Sequence, residues 1–460
     1  RTRPDPMTND TPEPSPNGQT PDGTKKPDLP PGLADGSDDQ DQGASDEETS
    51  PGTKKPDLPP GLGGENGESD APGTKKPAGP PGAKKPAGPP SPGSDDDGDD
   101  GPTLPPGYGG DGAGEALSRE DFQSDQEVRW CPGCGDYAIL STVQRLLPDL
   151  GVDKENVVFI SGIGCAGRFP YYMDTYGMHG IHGRAPAIAT GLKTSNPELD
   201  VWVVTGDGDA LSIGGNHLIH VLRRNLDTQI LLFNNEIYGL TKGQYSPTSD
   251  AGTVSKSTPY GSVDRPFNPV SVALGADASF VARTMDRDPQ HMKAMMRAAH
   301  DHDGTGFLEI YQNCNIFNDG AFFEFTERET KDERALFLEH GEPMTFANGT
   351  RGIRLDTLQP EVIDLEADDW SVDDCLVHDE TSQELGTILG RMSWQDDDGD
   401  PIPRLDETGT QLPRPFGVIH RTERPTYAER VHQQIDTVTA EQGDGDLDAL
   451  LRSGETWTIE

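Results

Sequence analysis

The sequence predicts an α/β fold, a mainly parallel sheet with flanking helices, behind a disordered N-terminal extension. Val201-Trp202-Val203-Val204-Thr205 and Ile230-Leu231-Leu232-Phe233 are unbroken apolar, β-prone runs, the pattern of strands buried on both faces of a parallel sheet. A helical stretch from about Leu211 to Arg224 separates them, which makes a βαβ unit. Near residue 118 the composition changes. Upstream, Pro, Gly, Asp and Ser dominate and aromatics are almost absent, too little apolar surface to offset the entropy of folding.

Residues 1–118 hold an internal repeat. Gly23 to Leu33 reads GTKKPDLPPGL, returns at Gly52 to Leu62, and degenerates at Gly73 to Ala83 and Lys84 to Pro90. No copy has a foldable apolar face, so a solenoid is excluded. The Lys-Lys-Pro units suit a docking tag for an acidic partner or, more simply, a replicated linker. The start, Arg1-Thr2-Arg3-Pro4-Asp5-Pro6, lacks the apolar core of a signal peptide, and the absent initiator methionine suggests a processed or incomplete beginning. No run reaches membrane-spanning length, so no membrane is expected.

Along the folded part the strands deliver polar residues in order. Val157-Val158-Phe159-Ile160-Ser161 leads to Cys165, and a glycine-punctuated loop, Tyr176 to Arg184, precedes a helix-like Ala185 to Lys193. Val201 to Thr205 leads to Asp207, Ile230 to Phe233 leads to Asn235, and Phe307 to Tyr311 leads to Cys314. An open α/β sheet binds ligands outside these carboxyl ends. Gly206-Asp207-Gly208-Asp209 and Asn234-Asn235 then suit a divalent metal clamped on a diphosphate. Asp207 offers a carboxylate oxygen, Asn235 an amide oxygen and Ile237 its backbone carbonyl, all hard ligands. Gly206 and Gly208 let the backbone come close, and the following helix N-terminus favours an anion. The plainer alternative is two polar turns after strands.

Five cysteines in 460 residues are too few for a disulfide scaffold. Cys131-Pro132-Gly133-Cys134 is a CxxC pair, joined by the distant single thiols of Cys165 and Cys314. That pattern fits a thiolate-bound centre, iron–sulfur or zinc. A thioredoxin-type redox pair would need a small domain of that kind, and none is visible. Cys375, in Asp373-Asp374-Cys375-Leu376, is read as a bystander.

The GDG and NN pair resembles the thiamine diphosphate enzymes. With the cysteines it resembles one family, the β subunit of the 2-oxoacid:ferredoxin oxidoreductases. The blocks are Trp130-Cys131-Pro132-Gly133-Cys134-Gly135-Asp136-Tyr137, Ser161-Gly162-Ile163-Gly164-Cys165, His182-Gly183-Arg184-Ala185, Gly206 to Ala210, Asn234 to Gln244, and Asn313-Cys314, over about residues 122 to 430. The resemblance implies a thiamine diphosphate-binding domain of the pyrophosphate type at 119–330. It also implies a C-terminal extension packing on a partner subunit at 331–430, with Val377 to Glu380 and Arg414 to Ile419 in the wrapping region, and a tail or helix at 431–460. Cys131, Cys134, Cys165 and Cys314 would hold one 4Fe-4S cluster, and Asp207, Asn235 and the Ile237 carbonyl would hold Mg2+. Ile163, Gly164, Cys165, Ala166, His182, Gly208, Asp209 and Gly239 would line thiamine diphosphate. The family carries small hydroxyl residues after the third cysteine; this chain has Ala166-Gly167, so backbone amides would have to serve.

The activity implied is oxidative decarboxylation of a 2-oxoacid to an acyl-coenzyme A, with electrons passing through the cluster to ferredoxin. Lys242, in an otherwise uncharged, glycine-flanked loop, would pair with a substrate carboxylate, which favours 2-oxoglutarate over pyruvate. His182 would donate to the diphosphate or substrate; His179 is read as a loop histidine. The pyrimidine-binding half of a thiamine enzyme is missing, so an α subunit would complete the site in a heterodimer or a dimer of heterodimers. Nicotinamide is not the expected acceptor. Two rivals belong to other classes, a non-redox thiamine enzyme with structural zinc and a catalytically silent, cluster-bearing assembly subunit.

The formal net charge is −42. Residues 1–120 hold 24 acidic and 11 basic side chains, which leaves 56 acidic and 27 basic for the folded part. Such self-repulsion is relieved where molar salt cuts the Debye length to about 3 Å. A halophile's salt-loaded cytoplasm is therefore the expected setting, with nucleic acid excluded as a partner.

Overall fold

The computed structural model describes residues 117–367, 369–392, 411–454 and 457. The repeat-bearing extension therefore lies outside the described residues, apart from Leu117 and Ser118.

One eight-stranded sheet organises the rest. Its first four strands in sequence are β1 (Val157–Ser161), β2 (Tyr176–His179), β3 (Asp200–Gly206) and β4 (Thr228–Asn234). Across the sheet the order is β2, β1, β3, β4, Thr305–Tyr311, Phe280–Met285, Arg414–Arg421 and Ala335–Phe337. The first six run parallel, whereas Arg414–Arg421 pairs antiparallel with Phe280–Met285.

The apolar runs are continuous because both faces are covered. Phe159, Trp202, Val204, Leu231, Phe233, Leu308 and Ile310 pack with α1 (Asp136–Leu150) and the helix Pro289–His300. The alternate residues Ile160, Val203, Ile230, Leu232 and Phe307 pack with α2 (Ala185–Ser195), α4 (Gly215–Arg224) and the helix Pro269–Gly275. Successive side chains of a strand point to opposite faces, so an all-apolar strand feeds two cores. Among the described residues no helix is long and apolar enough to cross a membrane.

Three expectations change. The helix expected from Leu211 to Arg224 is broken: α3 (Asp207–Leu211) ends at Ser212, and α4 starts at Gly215. Gly214 sits in the break, where a Cβ would meet the Asp209 carbonyl oxygen at 2.4 Å, so no larger residue fits. Part of the expected loop, Tyr176 to His179, is the edge strand β2, paired with β1. Arg414–Arg421, expected to wrap a partner, is buried within the main sheet, with Ala335–Phe337 beyond it, so the sheet runs past residue 330. Beyond Arg430 the helix Tyr427–Gln442 continues, capped by Thr426, and is followed by Leu447–Leu451.

His302 reports on this core. It is buried beside Phe280, its Nε2 lies 2.8 Å from Ser279 Oγ, and burial pushes its pKa down to about 4. An unfolded imidazole titrates near about 6.5, so between these values the unfolded chain binds more protons at this site. His302→Gln removes that penalty. The stability of this variant relative to wild type, read from melting temperatures, should therefore rise as pH falls from about 6.5 towards 4.5. A difference that stays constant with pH would refute the assignment.

Candidate active site

The carboxyl ends of the central strands open into one cavity, a concave site of the kind that takes a small molecule. Ile163, Gly164, Cys165 and Ala166 enter its wall after β1, and His182 after β2. Gly206 ends β3 and Asp207 to Asp209 follow it, while Asn235 and Ile237 to Thr241 follow β4. Every residue expected to line a thiamine cofactor is in this wall, together with Asp207, Asn235 and Ile237.

Local geometry explains the glycines. A Cβ on Gly208 would fall 2.3 Å from the ring of Tyr238, whose hydroxyl donates to the Gly208 carbonyl at 2.9 Å. A Cβ on Gly162 would fall 1.7 Å from Asp209 Oδ2. Asp209 is itself a bracket. Its Oδ1 accepts from Gly183 N at 2.8 Å and Ile163 N at 3.4 Å and lies 2.7 Å from His182 Nδ1, while Oδ2 accepts from Thr205 at 2.8 Å. One buried carboxylate thus ties the loops after β1 and β2 to β3. With His182 Nδ1 engaged there, Nε2 is the ring nitrogen left for other partners.

Asp207 opens α3 and is buried, and burial raises its pKa. Thr248 donates to its Oδ2 at 2.7 Å. Asn235 accepts from Ile237 N at 3.2 Å and donates through Nδ2 to Gln312 Oε1 at 2.6 Å. A buried carboxylate, an amide oxygen and a backbone carbonyl on one cavity wall are the hard donor set that suits Mg2+, with room for diphosphate oxygens. The residues fit that ion.

The four thiols come from three segments stapled together. Trp130 Nε1 donates to the Cys165 carbonyl at 2.9 Å, Asn315 Nδ2 to the Pro132 carbonyl at 2.7 Å, and Gly135 N to the Asn313 carbonyl at 3.1 Å. A Cβ on Gly239 would lie 3.4 Å from Cys314 Sγ and 3.7 Å from Cys165 Sγ, which places both sulfurs beside the cofactor wall. Burial raises the pKa of Cys134 and pushes Cys165 up to about 12, with Asp136 and neighbouring thiols adding to both shifts. Such thiols keep their protons until a metal centre replaces them. Among the described residues no three His, Cys, Asp or Glu side chains close on a single-ion site. The donor set suits a thiolate-bound centre; Cys375 lies apart, against Gly352.

Lys242 is the exception among the expected residues. It has φ 78°, at the corner of a turn closed by Lys242 N to Gly239 O at 3.0 Å, and it is exposed, outside the cavity wall. Several residues escaped sequence reasoning. Asp136 lines the cavity with a buried, unpartnered Oδ2, and burial raises it to about 7. Arg168 and Arg129 line an adjoining open cavity that shares Ile163, Gly164 and Leu240 with the first, and Arg168 Nη1 donates to the Arg129 carbonyl at 2.6 Å. Thr248 and Gln312 hold the clamp from behind. Only Asp136 and Gln312 adjoin a motif, and none shows periodicity.

A parallel sheet with a glycine-rich, polar rim at its carboxyl edge is the architecture of a thiamine diphosphate enzyme's pyrophosphate-binding domain, and comparison with known families agrees. Residues 162–310 match the thiamine pyrophosphate enzyme C-terminal TPP-binding domain. The chain is 51% identical over 346 residues, 74% of its own length and 88% of the relative's, to the 2-oxoglutarate oxidoreductase subunit KorB of Mycobacterium tuberculosis. It is 45% identical over 212 residues to the 2-oxoacid:ferredoxin oxidoreductase subunit beta of Sulfolobus, spanning 46% of this chain and 68% of that one. The solved 2-oxoglutarate:ferredoxin oxidoreductase of Magnetococcus marinus, with 2-oxoglutarate, coenzyme A and succinyl-CoA bound, superposes with a TM-score of 0.57 at 29% identity, over 74% of this chain and 97% of that one. The chain belongs to the family of 2-oxoacid:ferredoxin oxidoreductase β subunits.

Proposed function

We propose that this β subunit, with an α subunit, decarboxylates 2-oxoglutarate oxidatively to succinyl-coenzyme A and passes the electrons to ferredoxin, with pyruvate a poorer substrate. The observation that carries this reading is the shared wall of the two sites: Cys165 lines the cofactor cavity, and Gly239 lies against both Cys165 and Cys314. When bound, thiamine diphosphate supplies the carbanion chemistry that releases carbon dioxide, and a 4Fe-4S cluster on Cys131, Cys134, Cys165 and Cys314 supplies a one-electron acceptor beside it. Asp207, Asn235 and the Ile237 carbonyl would hold Mg2+. Ile163, Gly164, Ala166, Gly208 and Gly239 give the wall small, backbone-rich surfaces, and Asp209 fixes His182 with Nε2 available to the substrate or diphosphate.

Substrate choice has two supports. Relatives bear 2-oxoglutarate in their names. The adjoining cavity brings Arg129 and Arg168 next to Ile163 and Gly164, where guanidinium groups suit the distal carboxylate of a dicarboxylate. Exposed apolar side chains near the site, among them Tyr171, Ile181, Ile213 and Leu240, are the surface an α subunit would cover in a heterodimer or dimer of heterodimers. The acidic folded part suits a salt-rich cytoplasm.

Viologen reduction by the purified αβ complex, assayed with coenzyme A and each 2-oxoacid in turn, tests the assignment. The expected order is 2-oxoglutarate first, pyruvate well behind. Reduction with no 2-oxoacid would sink it, and a colourless preparation that contains zinc would favour the non-redox rival.

A further inference from the structure

Gln312 follows the last residue of the Thr305–Tyr311 strand and is buried. Its amide is fully used. Oε1 accepts from Asn235 Nδ2 at 2.6 Å, and Nε2 donates to the Asn313 carbonyl at 2.7 Å and to Cys134 Sγ at 3.2 Å. One rigid planar group therefore touches both the residue placed on the metal clamp and a thiol of the cysteine quartet. Two consequences follow. The Asn235 amide has two ends, and binding its Nδ2 to Gln312 decides that Oδ1 faces the clamp. An N–H donor on a cluster sulfur stabilises the reduced, more negative form, since hydrogen bonds to the sulfurs are among the features that set a cluster's potential.

We infer that Gln312 is a positioning residue that couples the two centres, holding Asn235 with its oxygen towards the metal and raising the cluster's reduction potential through its bond to Cys134. The inference rests on the cluster and clamp assignments proposed above. Its test uses the αβ complex and two variants. Gln312→Met keeps the volume and removes both the donor and the acceptor. Gln312→Glu keeps an acceptor for Asn235 and removes the amide donor. Iron content, a redox titration followed by electron paramagnetic resonance, and Mg2+-dependent thiamine diphosphate binding are read in each.

Both variants should retain iron and show a more negative potential, with about a tenfold fall in the reduced-to-oxidised equilibrium, or about 59 mV for one electron. Gln312→Met alone should also weaken cofactor binding by about tenfold or more. A wild-type potential in the iron-replete variants would overturn the inference while leaving the proposed function intact. Loss of iron from both variants would overturn it too, by making Gln312 a prop for the fold. Absence of iron–sulfur signals from wild type would instead overturn the underlying assignment, and this inference with it.

Discussion

Asp207→Asn is expected to weaken Mg2+-dependent thiamine diphosphate binding at least about 100-fold, since loss of mere outer-shell partners of a metal site already costs 10- to 100-fold. The substitution keeps the shape and the Thr248 contact but removes the one charge the clamp offers the cation. A second expectation separates binding from folding. Burial raises the pKa of Asp207, so its ionised form is disfavoured in the folded protein without metal, and Asn at 207 should leave the melting temperature of the metal-free protein unchanged or higher. For the same reason, protons compete more strongly than usual for this carboxylate, so cation affinity in wild type should fall as the pH is lowered. Calorimetry of Mg2+ and cofactor binding, beside melting curves without metal, checks both. Cofactor binding within threefold of wild type would rule Asp207 out as the metal's anchor.

Arg283→Met should destabilise the protein by about 3–5 kcal/mol, the cost of stranding a buried charge. Arg283 and Glu309 sit side by side on neighbouring parallel strands, both 0% exposed, with Nε to Oε2 at 2.7 Å. The pair supports the site above it. Glu309 Oε1 accepts from Asn234 at 2.9 Å, and Thr248 reaches Asn234 Oδ1 at 3.1 Å and Asp207 at 2.7 Å. Arg283 also donates to the Pro415 carbonyl at 3.2 Å, which ties the antiparallel strand to the sheet. Denaturant unfolding in high salt measures the loss, and adding Glu309→Gln should recover much of it by removing the stranded charge. A loss below about 1 kcal/mol would mean that water reaches Glu309.

The strands were legible because burial on both faces leaves the plainest pattern a sequence can carry, as in Val201 to Thr205. The cofactor wall was legible because every candidate residue except the CxxC pair follows a strand's carboxyl end. Edges were harder. Pro415 and Gly417 interrupt the apolar pattern of Arg414–Arg421, and β2 is exposed along its whole length, so neither shows the expected alternation. Gln312, Thr248 and Arg168 are single polar residues whose roles depend on neighbours distant in sequence. Lys242 was placed by its uncharged, glycine-flanked loop, yet it is exposed at a left-handed turn outside the cavity wall.

The staples among Trp130, Cys165, Pro132 and Asn315 also govern biogenesis. In the sequence Cys131 and Cys314 flank six strands of the sheet, so their meeting waits until translation has passed residue 314, the slow kind of contact. The quartet is a product of folding rather than its nucleus. Any metal centre the four thiols take up would thus be delivered to sulfurs that folding has already brought together.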